Sequence, residues 1–128
     1  MRAGSKDRAA AAYEQGGEYE AAAGAFREFL AAFPNSDLVD NAQYWYAETQ
    51  YVTRAFADAL PAFQKVVLEF PQSRKVPDAL LKIGYCNYEL RNWEAARTAL
   101  SRVAQDYPDT TAARLASKRL ERMSNEGR

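Results

Sequence analysis

The sequence predicts an all-α fold, an α-solenoid of three helix pairs with a C-terminal capping helix. The main observation is a motif of an aromatic residue, proline, a variable residue and a hydroxyl residue, whose prolines stand 37 residues apart at positions 34, 71 and 108. The three copies are Phe33-Pro34-Asn35-Ser36, Phe70-Pro71-Gln72-Ser73 and Tyr107-Pro108-Asp109-Thr110. Self-similarity at a fixed period of this size is typical of stacked repeats rather than of a globule around a buried active site.

Three further sets of positions keep the same 37-residue step. Two sets hold small residues and the third holds large apolar residues: Ala10, Ala47 and Gly84; Ala22, Ala59 and Ala96; Phe26, Phe63 and Leu100. Antiparallel helices approach closely only where the crossing residues are small, so these sets predict where the two helices of each pair cross. The proline ends the second helix of a pair, and Ser36, Ser73 and Thr110 are expected to cap the helix that follows.

The first two helices are predicted over residues 5–15 and 18–32. A run of alanines favours the first helix, and Gly16-Gly17 breaks it. The second helix has its apolar residues on one stripe: Tyr19, Ala22, Phe26, Phe29 and Leu30.

The next pair is predicted over residues 37–52 and 56–69. The helix over 37–52 is apolar on more than one side, as expected for a helix with neighbours on both sides. The helix over 56–69 turns four residues inward: Ala59, Phe63, Val66 and Val67. Because Pro61 lies inside it and lacks an amide donor, we expect either a kink there or a helix that starts late.

The last pair is predicted over residues 75–90 and 93–106. Pro77 falls in the first turn, where its missing donor is harmless. The inward residues are Leu80, Ile83, Gly84 and Asn87 in the first helix, and Trp93, Ala96, Leu100 and Val103 in the second. The repeat units are therefore expected over 5–36, 37–73 and 74–110, within a single domain that comprises residues 1–128.

The predicted capping helix covers residues 111–124 and turns an apolar stripe toward the array. That stripe consists of Leu115, Ala116 and Leu120. A polar-backed terminal helix closes the last hydrophobic face of a repeat array. The tail over residues 125–128 is expected to fray.

Composition argues against several functional classes. The formal net charge is zero, which does not favour a nucleic-acid or anionic-membrane partner. The chain has no histidine, the commonest general base and metal ligand, and its single cysteine, Cys86, is expected to be a small buried residue. We therefore expect no enzymatic activity, no cofactor and no metal site. No apolar run is long enough to insert into a membrane, and no signal peptide is visible.

The repeated positions resemble the tetratricopeptide repeat. That family places a small residue in its first helix, a small residue and an aromatic residue in its second, and a proline at the exit. Three units match this order: Ala10, Ala22, Phe26, Pro34; Ala47, Ala59, Phe63, Pro71; Gly84, Ala96, Leu100, Pro108. Family units usually have 34 residues, so the three extra residues are expected in the turn between repeats.

Three stretches carry a narrower resemblance, to the C-terminal domain of the YbgF (CpoB) family of Tol-Pal accessory proteins. They are Asn41-Ala42-Gln43-Tyr44-Trp45-Tyr46-Ala47-Glu48, Lys75-Val76-Pro77-Asp78-Ala79-Leu80-Leu81-Lys82-Ile83-Gly84, and Tyr107-Pro108-Asp109-Thr110-Thr111-Ala112-Ala113-Arg114-Leu115-Ala116 with Arg119-Leu120. The sequence departs from the family pattern at Tyr46 and Ala47, where Leu-Gly is usual, and at Pro61.

The resemblance implies a periplasmic scaffold in cell division. The C-terminal domain of that family is held to bind TolA and to help couple outer-membrane constriction to septal peptidoglycan synthesis. The family's proteins also carry a signal peptide and an N-terminal coiled coil that forms trimers. Neither is visible in this sequence, so we expect this chain to be monomeric or weakly associated.

Carrying the repeat register over predicts a partner-binding groove on the first helices of the pairs. Its residues share one helical stripe: Asn41, Tyr44, Trp45, Glu48, Tyr51, Asp78, Lys82, Tyr85, Tyr88 and Arg119. Tyrosine and tryptophan are enriched at binding hot spots, and a helix or an extended peptide could bind along such a stripe. The same aromatics could instead fill the gap between repeats, and of these Trp45 is the one expected first in the core.

Three alternative functions match the sequence to different degrees. A chaperone-type groove, which clamps a C-terminal carboxylate with lysine and asparagine, does not match Tyr44, Glu48, Leu81 and Tyr85 at the corresponding positions. A repeat component of an outer-membrane protein assembly machine shares the aromatic-Pro-x-Ser ends, but it usually has more repeats and an N-terminal lipidated cysteine. A generic peptide-binding adaptor remains open.

Overall fold

The computed structural model describes residues 17–128, and within that range it has six α-helices and no strand. In chain order they are α1 (Gly17–Ala32), α2 (Val39–Val52), α3 (Phe56–Glu69), α4 (Val76–Glu89), α5 (Trp93–Asp106) and α6 (Thr111–Asn125). Each predicted helix in this range is present, with bounds that differ by at most two residues. The helix predicted over residues 5–15 lies outside the described residues.

The helices pack in chain order into an array of pairs. Each helix contacts the next one along the chain, and α4 also contacts α6. The pairs α2–α3 and α4–α5 are thus stacked, with α6 closing the array. This arrangement confirms the predicted α-solenoid of helix pairs with a final helix.

Small residues allow the two helices of a pair to pack closely, as predicted. Ala47, Ala59 and Ala96 have no exposed surface. At Gly84 helices α4 and α5 lie too close for a side chain, because an added Cβ would stand 2.5 Å from Cδ2 of Leu100. The core around them forms one cluster that extends from Tyr44 on α2 to Met123 on α6.

The turns inside the pairs share one backbone geometry. After α2, the amide of Ala55 donates to the carbonyl of Gln50, and after α4 the amide of Asn92 donates to that of Asn87, each at 2.8 Å. These are Schellman caps, whose C′ residue adopts the left-handed conformation usual for glycine. Here that position holds Arg54 and Arg91, with φ of 66° and 65°.

The three hydroxyl residues of the repeated motif do not play one role. The side chain of Thr110 accepts a hydrogen bond from the Ala113 amide and caps α6, as predicted. No side chain caps α2 or α4. The Ser36 and Ser73 hydroxyls accept instead from the amides of Leu38 and Lys75, in the turns that precede these helices.

Helix α3 begins at Phe56 and runs continuously through Pro61 to Glu69, so the predicted late start is wrong. Pro61 and the preceding turn at Ala57 are both exposed. Water can therefore bond to the Ala57 carbonyl, which has lost its helical donor, and the proline is tolerated there. A kink at Pro61 stays a prediction.

The C-terminal end of the array differs from the sequence-based expectation. Of the predicted stripe, Ala116 is buried and Leu120 packs against the core, but Leu115 is exposed. Helix α6 also buries Ala112, Ala113 and Met123. The tail, which the sequence predicts to fray, folds back on the array in the structure. The Arg128 amide donates to the Met123 carbonyl, its guanidinium lies 4.0 Å from the Trp93 ring centroid, and its carbonyl accepts from Arg97. Trp93, expected to be buried, is half-buried beneath this contact.

None of the helices in residues 17–128 has both the length and the apolarity that a bilayer span requires.

Candidate protein-interaction face

All ten residues predicted for the groove lie on α2, α4 and α6, and we call this surface the α2–α4–α6 face. Their exposure separates them into three groups. Asn41 and Trp45 are exposed, Tyr44 and Tyr88 are buried, and six are half-buried: Glu48, Tyr51, Asp78, Lys82, Tyr85 and Arg119. Trp45, the aromatic expected first in the core, is 41% exposed, and that expectation is wrong.

Tyr44 is a core residue at the edge of this face. Its ring packs edge-to-face on Phe63 at 5.5 Å between centroids and on Trp45 at 5.2 Å. Burial raises the pKa of its hydroxyl well above the ordinary value. Only 6% of Tyr44 is exposed, so its ring offers little surface to a partner.

Lys82 connects α4 to α2 through two contacts. Its Nζ lies 3.0 Å from Glu48 Oε1 and 3.2 Å from Oε2, and 4.4 Å from the centroid of the Tyr51 ring. Burial raises the pKa of Tyr51 to about 12. Tyr51 also stacks on Tyr85 at 6.4 Å between centroids, so charged and aromatic contacts link the two repeats.

Arg119 connects α6 to α4 in a related way. Its guanidinium carbon lies 4.2 Å from the Tyr85 ring centroid and 4.7 Å from that of Tyr88. The Tyr88 hydroxyl donates to Glu126 Oε1 at 2.7 Å, and this hydrogen bond is the main reason why its pKa is raised. Arg122 pairs with Glu126 at 3.1 Å on the same side of α6.

These contacts repeat with the 37-residue period of the sequence. Lys82 and Arg119 are equivalent positions, and each lies over the equivalent tyrosine, Tyr51 or Tyr88, of the preceding repeat. Each of these tyrosines also packs edge-to-face on an aromatic residue that begins the next helix, Tyr51 on Phe56 at 5.4 Å and Tyr88 on Trp93 at 5.2 Å. The layer of cation, tyrosine and aromatic residue is therefore a recurring joint between repeats.

The N-terminal end of the face adds a cation that the sequence did not single out. Lys75 Nζ lies 4.7 Å from the Tyr44 centroid and 4.9 Å from the Trp45 centroid. Beside Trp45 is an apolar pocket of 320 Å³, lined by Ala25, Phe26, Phe29, Leu38, Asn41, Ala42 and Trp45. Trp45 thus combines an exposed ring, a neighbouring cation and an apolar pocket.

The repeat register continues the predicted stripe on α6 through Arg122, which is equivalent to Tyr85 and Glu48. Sequence reasoning did not include Glu126, although the 37-residue step relates it to Glu89. Its hydrogen bond with Tyr88 depends on how the end of α6 packs.

On this face the described residues show no arrangement typical of a catalytic or metal site. Residues 17–128 contain no group of three acidic or cysteine side chains arranged to hold a metal ion. Burial raises the pKa of the Cys86 thiol to about 12, so at neutral pH it is the unreactive thiol rather than the thiolate. What the arrangement offers is a partly apolar, partly charged surface that suits contact with another chain.

Two family models, each described as Tetratricopeptide repeat, match the sequence, one over residues 7–75 and the other over residues 78–110. No curated protein matches the chain. Domains of this repeat are typically non-catalytic interaction modules, which indicates a protein-protein interaction scaffold with protein or peptide partners. The first match alone covers more than half of the 128 residues. The chain therefore belongs to the tetratricopeptide repeat family.

Proposed function

We propose that this chain is the scaffold domain of a Tol-Pal accessory protein, which binds TolA in the periplasm through the α2–α4–α6 face. In that role it coordinates outer-membrane constriction with septal peptidoglycan synthesis. The observation that carries the binding part of the proposal is the row of half-buried and exposed groups on one face: Trp45, Tyr51, Lys82, Tyr85 and Arg119. Such amphipathic groups supply large contact area together with polar ends.

The Tol-Pal part of the proposal is supported by the sequence stretches that resemble the YbgF (CpoB) family. Residues 41–48 lie on α2, residues 76–84 lie on α4, and residues 111–120 lie on α6. These are the three helices that form the α2–α4–α6 face. A shared binding surface would explain why the resemblance is strongest there.

A second apolar groove is an alternative binding site. It has a volume of 480 Å³ between α3, α4 and α5, and its rim includes Leu68, which is 78% exposed. This groove has less aromatic character than the α2–α4–α6 face, because no aromatic residue lines it. We therefore place the TolA contact on the face and use the groove as a control.

Calorimetric titration with the helical middle domain of TolA tests the proposal. The test variants are Trp45→Ala and Tyr85→Ala, because both residues keep exposed surface. The control is Leu68→Ala, which trims an exposed side chain in the competing groove. Tyr44→Ala is unsuitable, because Tyr44 is buried and the loss of its side chain would destabilise the fold.

We expect the unaltered domain and Leu68→Ala to bind TolA, and both test variants to bind at least tenfold more weakly, since truncating a hot-spot residue costs about 2 kcal/mol or more. Loss of binding only in Leu68→Ala would move the site to the competing groove. If the unaltered domain does not bind, the Tol-Pal assignment is wrong, and a scaffold for another peptide partner remains.

A further inference from the structure

The two cations of the recurring joint have different surroundings. Lys82 lies over Tyr51 and is neutralised by Glu48, at 3.0 Å. At the next joint, 37 residues later, Arg119 stands in the place of Lys82 and Tyr85 in the place of Glu48. The second joint therefore keeps the cation, but it has a tyrosine where the first joint has the carboxylate of Glu48.

Arg119 consequently lacks a counter-ion of its own in the described part of the chain. None of the ion pairs between residues 17 and 128 includes it. Its Nη1 is buried and donates no hydrogen bond to any of these residues. A buried guanidinium nitrogen without an acceptor is unfavourable, because the desolvation of a charged donor is not compensated.

The nearby carboxylates of the chain are already engaged elsewhere. Glu126 accepts from both Tyr88 and Arg122. Glu89 lies 3.8 Å from Arg54. The environment of Arg119 is otherwise aromatic, since Tyr85 and Tyr88 lie against its guanidinium.

We propose that Arg119 binds a carboxylate of the partner protein, an Asp or Glu side chain that takes the place beside Arg119 which Glu48 takes beside Lys82. This inference rests on the proposed function, since it requires that a protein binds to the α2–α4–α6 face. A guanidinium held against aromatic rings is pre-organised, and with Nη1 buried its Nε–Nη2 edge can donate two parallel hydrogen bonds to a carboxylate. The partner segment would present its acidic residue beside apolar residues that contact Tyr51 and Tyr85.

The probe is a random twelve-residue peptide library, selected on the immobilised 128-residue chain. Enriched peptides are synthesised with an amidated C-terminus and with a free one, and each is also made with its acidic residue changed to the amide. Binding is measured to the unaltered chain, to Arg119→Met and to Arg119→Lys. A matched control is Arg114→Met, which removes an exposed cation from α6 on the side toward α5.

A fourth variant, Tyr85→Glu, restores the carboxylate that the repeat lacks, and Tyr85→Gln is its control, because both variants lose the tyrosine ring. The glutamate should satisfy Arg119 internally and so compete with the ligand. Thermal unfolding of every variant shows that each is folded at the temperature of the titration.

We expect enriched peptides to share an Asp or Glu, and their affinity to fall about 10- to 100-fold in Arg119→Met, as expected for a hydrogen-bonded charge pair. Tyr85→Glu should weaken binding further than Tyr85→Gln does, Arg119→Lys should keep part of the affinity, and Arg114→Met should keep all of it. The amidated and free peptides should bind alike, because a side chain supplies the carboxylate. Binding only by peptides with a free C-terminus would overturn the side-chain assignment.

Two other outcomes separate this inference from the proposed function. Peptides that bind the face, lose affinity in Trp45→Ala and show no acidic preference would overturn the carboxylate site and leave the interaction face standing. If no library peptide binds to the α2–α4–α6 face, the result contradicts both.

Discussion

Gly84 and Leu100 are in such close contact that a methyl group added to the glycine would stand 2.5 Å from Leu100 Cδ2 and 2.6 Å from its Cγ. Leu100 has no exposed surface and so has little room to move aside. The spacing of α4 and α5 is thus set by the absence of a side chain at one position. This contact explains in physical terms why small residues recur at the helix crossings.

Substitution Gly84→Ala should destabilise the fold. Overpacking a close contact costs about 1–3 kcal/mol, whereas alanine gains only about 1 kcal/mol in helix propensity, so we expect a net loss of about 1 kcal/mol. Gly24→Ala in α1 is the control, because its added Cβ meets only Arg27 Nη2 at 3.8 Å. Chemical denaturation should show opposite signs for the two variants. Equal stabilisation by both would show that Leu100 moves aside freely.

Arg91→Gly should stabilise the chain. Arg91 is the C′ residue of α4 with φ of 65°, a conformation that disfavours side chains other than glycine. Its side chain makes no hydrogen bond or ion pair to residues 17–128, so the change removes strain with little loss of contact. We expect a gain of about 0.5–1 kcal/mol in the free energy of unfolding.

The matched variant at the equivalent turn is Arg54→Gly. It should gain less, because Arg54 also lies 5.1 Å from the Phe56 ring centroid and 3.8 Å from Glu89. Denaturant titration measures both changes. A larger gain at Arg54 than at Arg91 would contradict this account of the turns.

Alkaline pH should weaken the fold partly through Tyr51. Burial raises the pKa of Tyr51 to about 12 from an ordinary value of 10.0, so the folded state favours the neutral phenol. The resulting stability is fully present below pH 10 and is lost as the pH rises from 10 to 12. Tyr51→Phe should therefore show a smaller fall in stability across this range. An identical fall in both proteins, followed by circular dichroism, would exclude Tyr51 as a contributor.

Acid should release the C-terminal end of α6 through Glu126. The hydrogen bond from Tyr88, and then that from Arg122, holds the pKa of this carboxyl below its ordinary value of 4.5. Its contribution to stability is present above that value and is lost as the pH falls through the lowered pKa. Glu126→Gln should lower the unfolding midpoint at pH 7, and the difference from the unaltered chain should shrink as the pH falls below 4.5. A difference that stays constant with falling pH would point to packing rather than charge.

The repeat period allowed most of the fold to be predicted, because small residues and prolines impose the same packing in every unit. Several features of the fold escaped, and two of them have a clear physical reason. The Pro61 position was misjudged, since propensity alone does not show that its helix turn faces water. The tail was expected to fray, since contacts such as Arg128 with Trp93 depend on tertiary packing.

The face was predicted less completely than the fold. The helical stripe identified the correct helices, but it could not separate buried from exposed aromatics, because Tyr44 and Trp45 are adjacent and both lie near the edge of the stripe. In the structure the two residues differ because Tyr44 packs on Phe63, whereas Trp45 packs on Tyr44 and Lys75. The different surroundings of Lys82 and Arg119 also could not be predicted from the sequence, since both positions carry a cation and only the contacts distinguish them.

The central claim, that the α2–α4–α6 face binds a protein partner, is tested most directly by amide hydrogen exchange on the domain with and without the helical middle domain of TolA. Helices α2, α4 and α6 should gain protection in the complex, most of all around Trp45, Lys82 and Arg119, while α3 and α5 stay unchanged. Protection confined to α3 and α5, around Leu68, would contradict the claim.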